Sequence, residues 1–302
     1  MKQFLPTWQG EAGQQECDEL GHLNMRHYMT KAQQARQMFI MQMGLVHAFE
    51  KGTPSTVRVR EFHIKYMREA RPGSALRIET AITRLGKNDL SLVHVMYHDD
   101  GSLAATIREQ LEHVYLPTHQ TFPWPDRLKR NAKKYLIETP DYAMPKGMPD
   151  TEMTGANLET LQKWGCETIG RGVFQSWETG NSDTVCAQHV LGRLSGSIRH
   201  FGTAWPDGIE VGPVMGVLLE IRHRFHIFPS SGDPFIICSG VLGVKDKVRQ
   251  LVHHFVNPIT GKPYGSMIAV NGLIDLEKRQ LVVPKKSVVK AIGKVIIPNL
   301  HA

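Results

Sequence analysis

Glu61-Phe62-His63-Ile64-Lys65-Tyr66-Met67, followed by Arg71-Pro72-Gly73-Ser74, is answered later in the chain by Glu220-Ile221-Arg222-His223-Arg224-Phe225-His226, followed by Ser230-Ser231-Gly232-Asp233. Glu61 falls on Glu220 and Gly73 on Gly232 at one offset, 159 residues. At the same offset Leu92-Val93-His94-Val95 falls on Leu251-Val252-His253-His254, and Gly101 meets Gly261 one residue later. Upstream, His27 in RHYMTKAQQAR falls on His189 in QHVLGRLSGSIR at an offset of 162. Self-similarity held over this many positions reads as two copies of one folding unit.

Each copy begins with a short strand and a helix and continues with alternating apolar and polar residues. These predict strands over 57–68, 75–86, 89–98 and 103–115, and again over 215–228, 234–244, 248–257 and 265–276. The first helix is expected from Asn24 to Met43, with Met25, Tyr28, Met29, Ala32, Ala35, Phe39 and Met43 on one stripe and Gly44 to end it. The second is expected over 187–201 on Val190, Leu194, Ile198 and Phe201, with Gly192 and Gly196 suited to the close approach of another backbone. A long helix whose stripe is buried by a curled antiparallel sheet is an α+β arrangement. The domains are placed at 1–120 and 156–302, with 121–155 as a linker in a stretch rich in proline and charge.

Of the 302 residues, 41% are hydrophobic and 22% charged, as in an ordinary globular protein. Residues 1–20 lack the apolar core of a signal peptide and no apolar run is long enough to span a bilayer, so a cytoplasmic protein without membrane attachment is expected. Cys17, Cys166, Cys186 and Cys238 form no CxxC pair and are expected as free thiols. The net charge of +7 is spread over both halves without a basic run interleaved with aromatics, which argues against nucleic acid as partner.

The chemistry concentrates in Cys17-Asp18-Glu19-Leu20-Gly21-His22-Leu23-Asn24-Met25-Arg26-His27-Tyr28, just ahead of the first helix. A helix N-terminus offers unpaired amides and a favourable dipole, so a carboxylate a few residues earlier sits beside a ready-made anion site. Attack on a carbonyl needs that pairing of a base or nucleophile with a donor for the developing oxyanion. The plainer reading is that Asp18 and Asn24 cap a helix and Gly21-His22 makes a turn.

Asp18-x-x-Gly21-His22-x-Asn24 with Tyr28 resembles the signature of the 4-hydroxybenzoyl-CoA thioesterase-like hotdog family. The following strands, through RPGSALRIETAITRLGKNDLSLVHVMYHDDGSLAATIREQLEHV, resemble it in order and spacing. The likeness covers residues 10–116 well and 170–285 more loosely, and implies a double hotdog. It implies an acyl-CoA thioesterase, or one acting on acyl-carrier-protein thioesters; no cofactor and no metal are expected. By the same resemblance Asp18 is the catalytic carboxylate, as nucleophile or base. His22 and Asn24 position the thioester or water, Gly21 and Tyr28 lie beside the substrate, and the amide near Met25 holds the oxyanion. Many relatives carry a second asparagine where this chain has Met25. A hydratase or dehydratase of the same fold, or a non-catalytic acyl-thioester-binding module, are the competing readings. A tandem already supplies one side-by-side pair of hotdogs, and further pairing into a homodimer is compatible with it.

In the second copy Asp18 falls on Gly180, Gly21 on Asp183, His22 on Thr184, Asn24 on Cys186 and Tyr28 on Val190, so the motif is lost and one competent site is expected. Asp183 is a candidate to reach the helix start after a local shift, or a solvated turn residue. Arg58, Arg60, Lys65 and Arg68, with Arg222 and Arg224 in the second copy, suit the phosphates of coenzyme A or a solvated sheet face. His223 with His226, and His253 with His254, face opposite sides of a strand and form no natural chelate, and sheet-surface histidines are expected. Gly192-Arg193-Leu194-Ser195-Gly196 has the wrong spacing for a nucleophile elbow, and no phosphate-binding glycine loop is present.

Overall fold

The computed structural model describes residues 3–149, 151–204, 214–245, 247–275, 277–278 and 280–302. The chain forms two compact units, one of Met1–Met144 with Trp177–Gly192 and one of Pro145–Ser176 with Arg193–Ala302. In the first unit β1 (Leu5–Glu11) leads to α1 (Met25–Gln42), then β2 (Ser55–Tyr66), β3 (Ala75–Leu85), β4 (Asp89–His98) and β5 (Leu103–Tyr115). The strands pair antiparallel in the order β1-β3-β4-β5-β2, and a two-residue β6 (Gln120–Thr121) adds to β5.

Helix α1 begins where Asn24 accepts the Arg26 N–H and ends where Gly44, at φ +111, takes a conformation that costs a residue with a Cβ. It packs over β1, β3 and β5. Tyr28, Met29, Ala32, Ala35, Phe39, Ile40 and Met43 are buried, as the stripe requires. Full burial of a side chain such as Phe39 contributes about 1.5–3 kcal/mol. Lys31 and Arg36 are buried on the same helix, which the periodicity does not foretell.

The segment after β5 is built, not loose. Trp124, Leu128 of α2 (Asp126–Ala132) and Ala143 are buried, Asn131 donates to the Met43 carbonyl at 3.1 Å, and Ile137 N–H donates to Ile82 O at 2.8 Å. Ala143 and Ile137 pack on Ala81, Val93 and Val95 and so cover the face of β3 and β4 that α1 leaves open.

In the second unit a short α3 (Leu158–Lys163) precedes β7 (Glu167–Val173). Helix α4 (Ala187–Ser197), whose first residues belong to the first unit, is followed by β8 (Val214–Phe225), β9 (Pro234–Lys245), β10 (Val248–Val256), β11 (Pro263–Asp275) and α5 (Lys286–Gly293). The strands run β8-β11-β10-β9-β7, again all antiparallel. The two sheets share even their irregularities. Extra residues stand at Thr7 in β1, Arg60 in β2 and Thr83 in β3, and at Ile169, Leu219 and Leu242 in β7, β8 and β9, 162 or 159 positions later. A bulge reverses the side-chain alternation beyond it, so matched bulges keep the same residues inward in both sheets.

Three expectations change on inspection. Helix α4 is shorter than 187–201, passing into a tight turn at Ile198–His200. Gly192 admits the side chain of Arg26, whose Cδ would lie 3.0 Å from an added Cβ, rather than another backbone, and Gly196 faces open space. His223, His253 and His254 are fully or almost fully buried instead of lying on a sheet surface. His253 bonds Ser239 Oγ at 2.7 Å and His254 Nε2 donates to His301 O at 2.9 Å. Over Leu251–Val256 of β10 and Glu220–His223 of β8 consecutive residues are buried, so side chains on either side of the alternation go inward.

Candidate functional site

The loop between β1 and α1 is drawn tight by its own backbone. Asp18 N–H donates to His22 O at 2.8 Å, Gly21 N–H to Asp18 O at 3.0 Å, and Asn24 N–H to Glu16 O at 3.0 Å. Gly21 turns the chain at φ +72, where a Cβ would be strained. The Asp18 carboxylate is fixed through one oxygen. Oδ1 accepts Leu20 N–H at 3.0 Å and His22 N–H at 3.2 Å, and neither amide goes to Oδ2. Asn24 caps the helix, its Oδ1 taking Arg26 N–H at 3.0 Å and its carbonyl taking His27 N–H at 2.8 Å. Neither bond engages the Met25 amide, the first of the helix.

His22 turns its ring to a residue that the motif does not contain. Its Nε2 lies 3.2 Å from Glu69 Oε2, with side-chain exposures of 14% and 31%. Tyr28 is buried, its ring edge-on to Tyr66 at 5.1 Å between centroids. Burial pushes its phenol well above the usual range, although a hydrogen bond from the Ala70 amide works the other way. Tyr28 therefore ties the helix to the 66–70 segment as a neutral side chain.

Glu16 braces the loop from behind. Its carboxylate takes the Gly13 amide at 2.9 Å and the buried Lys31 ammonium at 2.6 Å, with His27 at 3.6 Å. Burial favours a protonated Glu16, but the hydrogen bond from Lys31 and the other partners outweigh it and hold the carboxyl below its ordinary value. Burial raises the Cys17 thiol, helped by the Asp18 and Glu16 charges, which makes it a poor nucleophile beside the candidate carboxylate.

Residues 178–189, all within the first unit, repeat this loop without its chemistry. Gly180 N–H donates to Thr184 O at 3.1 Å, Asp183 N–H to Gly180 O at 3.1 Å, Cys186 N–H to Glu178 O at 3.0 Å and His189 N–H to Cys186 O at 3.0 Å. These are the bonds of Asp18, Gly21, Asn24 and His27, each displaced by 162 residues. Asp183 occupies the place of Gly21 as an exposed residue at φ +53, away from the helix-cap position that Cys186 fills. Arg58 and Arg60 both turn to one carboxylate. Arg58 Nε lies 3.0 Å from Glu112 Oε2, and Arg60 bonds both Glu112 oxygens at 2.6 and 3.0 Å. Thus Asp18, Gly21, His22, Asn24 and Met25 share one turn, whereas Arg58 and Arg60 sit on Glu112.

A second buried assembly, invisible in the motif, crosses the interior of the first unit. Arg36 Nη1 donates to Glu109 Oε1 at 2.6 Å, His94 Nε2 lies 3.2 Å from Glu109 Oε2, and His94 Nδ1 meets Thr80 Oγ1 at 2.7 Å. The bulge residue Thr7 closes the chain at 2.7 Å from Thr80 Oγ1. At the matching positions of the second copy stand Ile198, Ala269, His253, Ser239 and Ile169, so only the histidine and a hydroxyl are kept.

Residues 12–132 match the family model described as the thioesterase-like superfamily. A 113-residue stretch is 27% identical to an L-carnitine dehydrogenase/betainyl-CoA thioesterase of Agrobacterium fabrum, covering 37% of this chain and 23% of that protein. The chain therefore matches about a quarter of that relative's length. Among solved structures, the 12:0-ACP thioesterase of Umbellularia californica superposes with a TM-score of 0.68 at 12% identity, over 89% of this chain and 94% of that one. An acyl-ACP thioesterase of Bacteroides thetaiotaomicron does so with a TM-score of 0.61 at 10% identity, over 87% and 96%. Residues 12–132, which carry the D-x-x-G-H-x-N turn ahead of α1, are thus similar to the thioesterase-like superfamily, and the chain shares the hotdog fold of these solved structures.

Proposed function

We propose that the chain is a double hotdog that hydrolyses an acyl thioester, of coenzyme A or of a carrier protein, to the free acid and the thiol. The observation that carries this reading is the Asp18 carboxylate, held by two amides on one oxygen at the mouth of a helix whose first amide is taken by neither cap bond. Asp18 either takes a proton from the attacking water or attacks the carbonyl itself. In both cases the C–S bond breaks, water supplies the hydroxyl of the acid, and its other hydrogen ends on the thiol. The Met25 amide receives the developing oxyanion, and Asn24 keeps the helix start in place. The matched bulges and the repeated turn support the doubling, with a hotdog on each side of the 121–155 segment. The relatives named for betainyl-CoA and acyl-ACP thioesterases support the substrate class. A cytoplasmic setting and a homodimer of double hotdogs complete the reading. No helix among the described residues is long and apolar enough to cross a membrane.

Thiol release, followed with DTNB on a panel of acyl-CoA and acyl-carrier-protein thioesters, tests it. Turnover on at least one thioester is expected, and none across the panel would end the proposal. The one-site form makes a further prediction. Asp183→Ala removes an exposed turn carboxylate and should leave turnover within about twofold, as surface substitutions away from special features do. A loss as deep as that from changing Asp18 would mean that the second turn is also competent.

A further inference from the structure

We infer that Glu69 is the positioning residue for His22 in the thioesterase site, an assignment that rests on the reading of that site given above. The contact is direct, His22 Nε2 to Glu69 Oε2 at 3.2 Å. An ionised carboxylate can only accept, so the ring proton must sit on Nε2. Nδ1 is then the nitrogen left for reactants, and the ring is held in one orientation.

Glu69 is also rigidly delivered. On one side, Met67 and Arg68 N–H groups both donate to Ala104 O, at 2.9 and 3.1 Å. On the other, the buried Ala70 accepts Leu23 N–H at 2.8 Å. The carboxylate lies between two anchored positions, one of which is bonded to the residue after His22. His22 is fixed in turn through its backbone, which exchanges hydrogen bonds with Asp18 N–H at 2.8 Å and Asp18 Oδ1 at 3.2 Å. Glu69, His22 and Asp18 thus form one connected unit.

The second copy separates scaffold from chemistry. The anchoring bonds persist there, His226 and Ile227 N–H both donating to Tyr264 O at 2.8 and 3.1 Å, at the places of Met67, Arg68 and Ala104. The carboxylate does not persist, because Phe228 stands where Glu69 would and Thr184 where His22 would. A carboxylate needed only to hold this bend would have reason to remain with the bend. This one is missing where the histidine is missing.

The test combines kinetics with the ring's tautomer. Glu69→Ala should lower kcat/KM by about tenfold or more, the cost of losing one hydrogen bond to a charged group, and Glu69→Gln, which still accepts, should recover part of it. In a His22→Asn background Glu69→Ala should cost almost nothing further, since a residue acting through His22 has nothing left to position. Long-range ¹H–¹⁵N NMR of His22 should show the proton on Nε2 in the unchanged protein and a mixture of tautomers in Glu69→Ala. An equal loss from Glu69→Ala with and without His22, or an unaltered tautomer in Glu69→Ala, would overturn the inference. The tautomer is read without any substrate, so it decides the matter even if the thioester panel shows no turnover.

Discussion

Glu109→Ala is expected to destabilise the protein by about 3–5 kcal/mol, the usual cost of removing one partner from a buried ion pair. Both side chains lie out of water, with exposures of 8% for Arg36 and 0% for Glu109. Burial by itself would push the Glu109 carboxyl up, yet the Arg36 charge and the hydrogen bond from His94 reverse the balance and hold it below its ordinary value. Removing the carboxylate leaves the Arg36 guanidinium uncompensated between α1 and the sheet. It also breaks the chain that runs through His94 and Thr80 to Thr7. The double change Arg36→Met with Glu109→Leu should cost far less than Glu109→Ala, because apolar packing replaces both charges at once. Urea denaturation of the three proteins checks this. A Glu109→Ala midpoint equal to that of the unchanged protein would show that the pair contributes nothing.

Acidification should unfold the second unit well above the pH at which carboxylates alone would matter. Burial pushes His223, His253 and His254 down to about 3. The neighbouring His226 adds to the effect on His223, His254 to that on His253, and His226 with His301 to that on His254, against hydrogen bonds at Ser266 and His301 that work the other way. The folded unit therefore keeps these rings neutral, whereas each would take up a proton in the unfolded chain below about pH 6.5. Stability is greatest above that pH and falls as pH drops toward 3, by about 1.4 kcal/mol per pH unit for each histidine. Three such groups can remove about 6 kcal/mol by pH 5, comparable with the whole stability of many domains. Loss of near-ultraviolet circular dichroism between about pH 6 and 4 is expected, with a shallower dependence in His253→Asn, which keeps a partner for Ser239 but cannot take up a proton. Stability that stays level from pH 7 to pH 5 would contradict it.

The fold was legible because both of its periodicities survive in the sequence. The stripe of α1 and the alternation of the strands are local, and the offset between the copies is visible without any structure. The capping role of Asn24 and the turn at Gly21 were equally plain, since both depend on neighbours within a few residues. What stayed hidden depends on partners brought together from afar. Arg36 is an odd residue for a buried stripe until Glu109 arrives from β5, and Lys31 until Glu16 folds beneath it. Glu69 reads as an ordinary charge before Arg71-Pro72-Gly73 until the chain sets it against His22. Arg58 and Arg60 look like free cations until Glu112 appears across the strand. The histidines of β8 and β10 resemble surface residues because alternation predicts one exposed face, and here consecutive residues are buried.

The central claim is that Asp18 performs chemistry and does not merely close a turn, and Asp18→Asn separates the two. Asparagine still offers an oxygen to the Leu20 and His22 amides, so the loop and the stability of the protein should be almost unchanged. It cannot act as a base or carry an acyl group. Thioester turnover should fall by about a hundredfold or more while a non-hydrolysable substrate analogue still binds. Turnover close to that of the unchanged protein would show that the carboxylate is only a turn residue and would contradict the account.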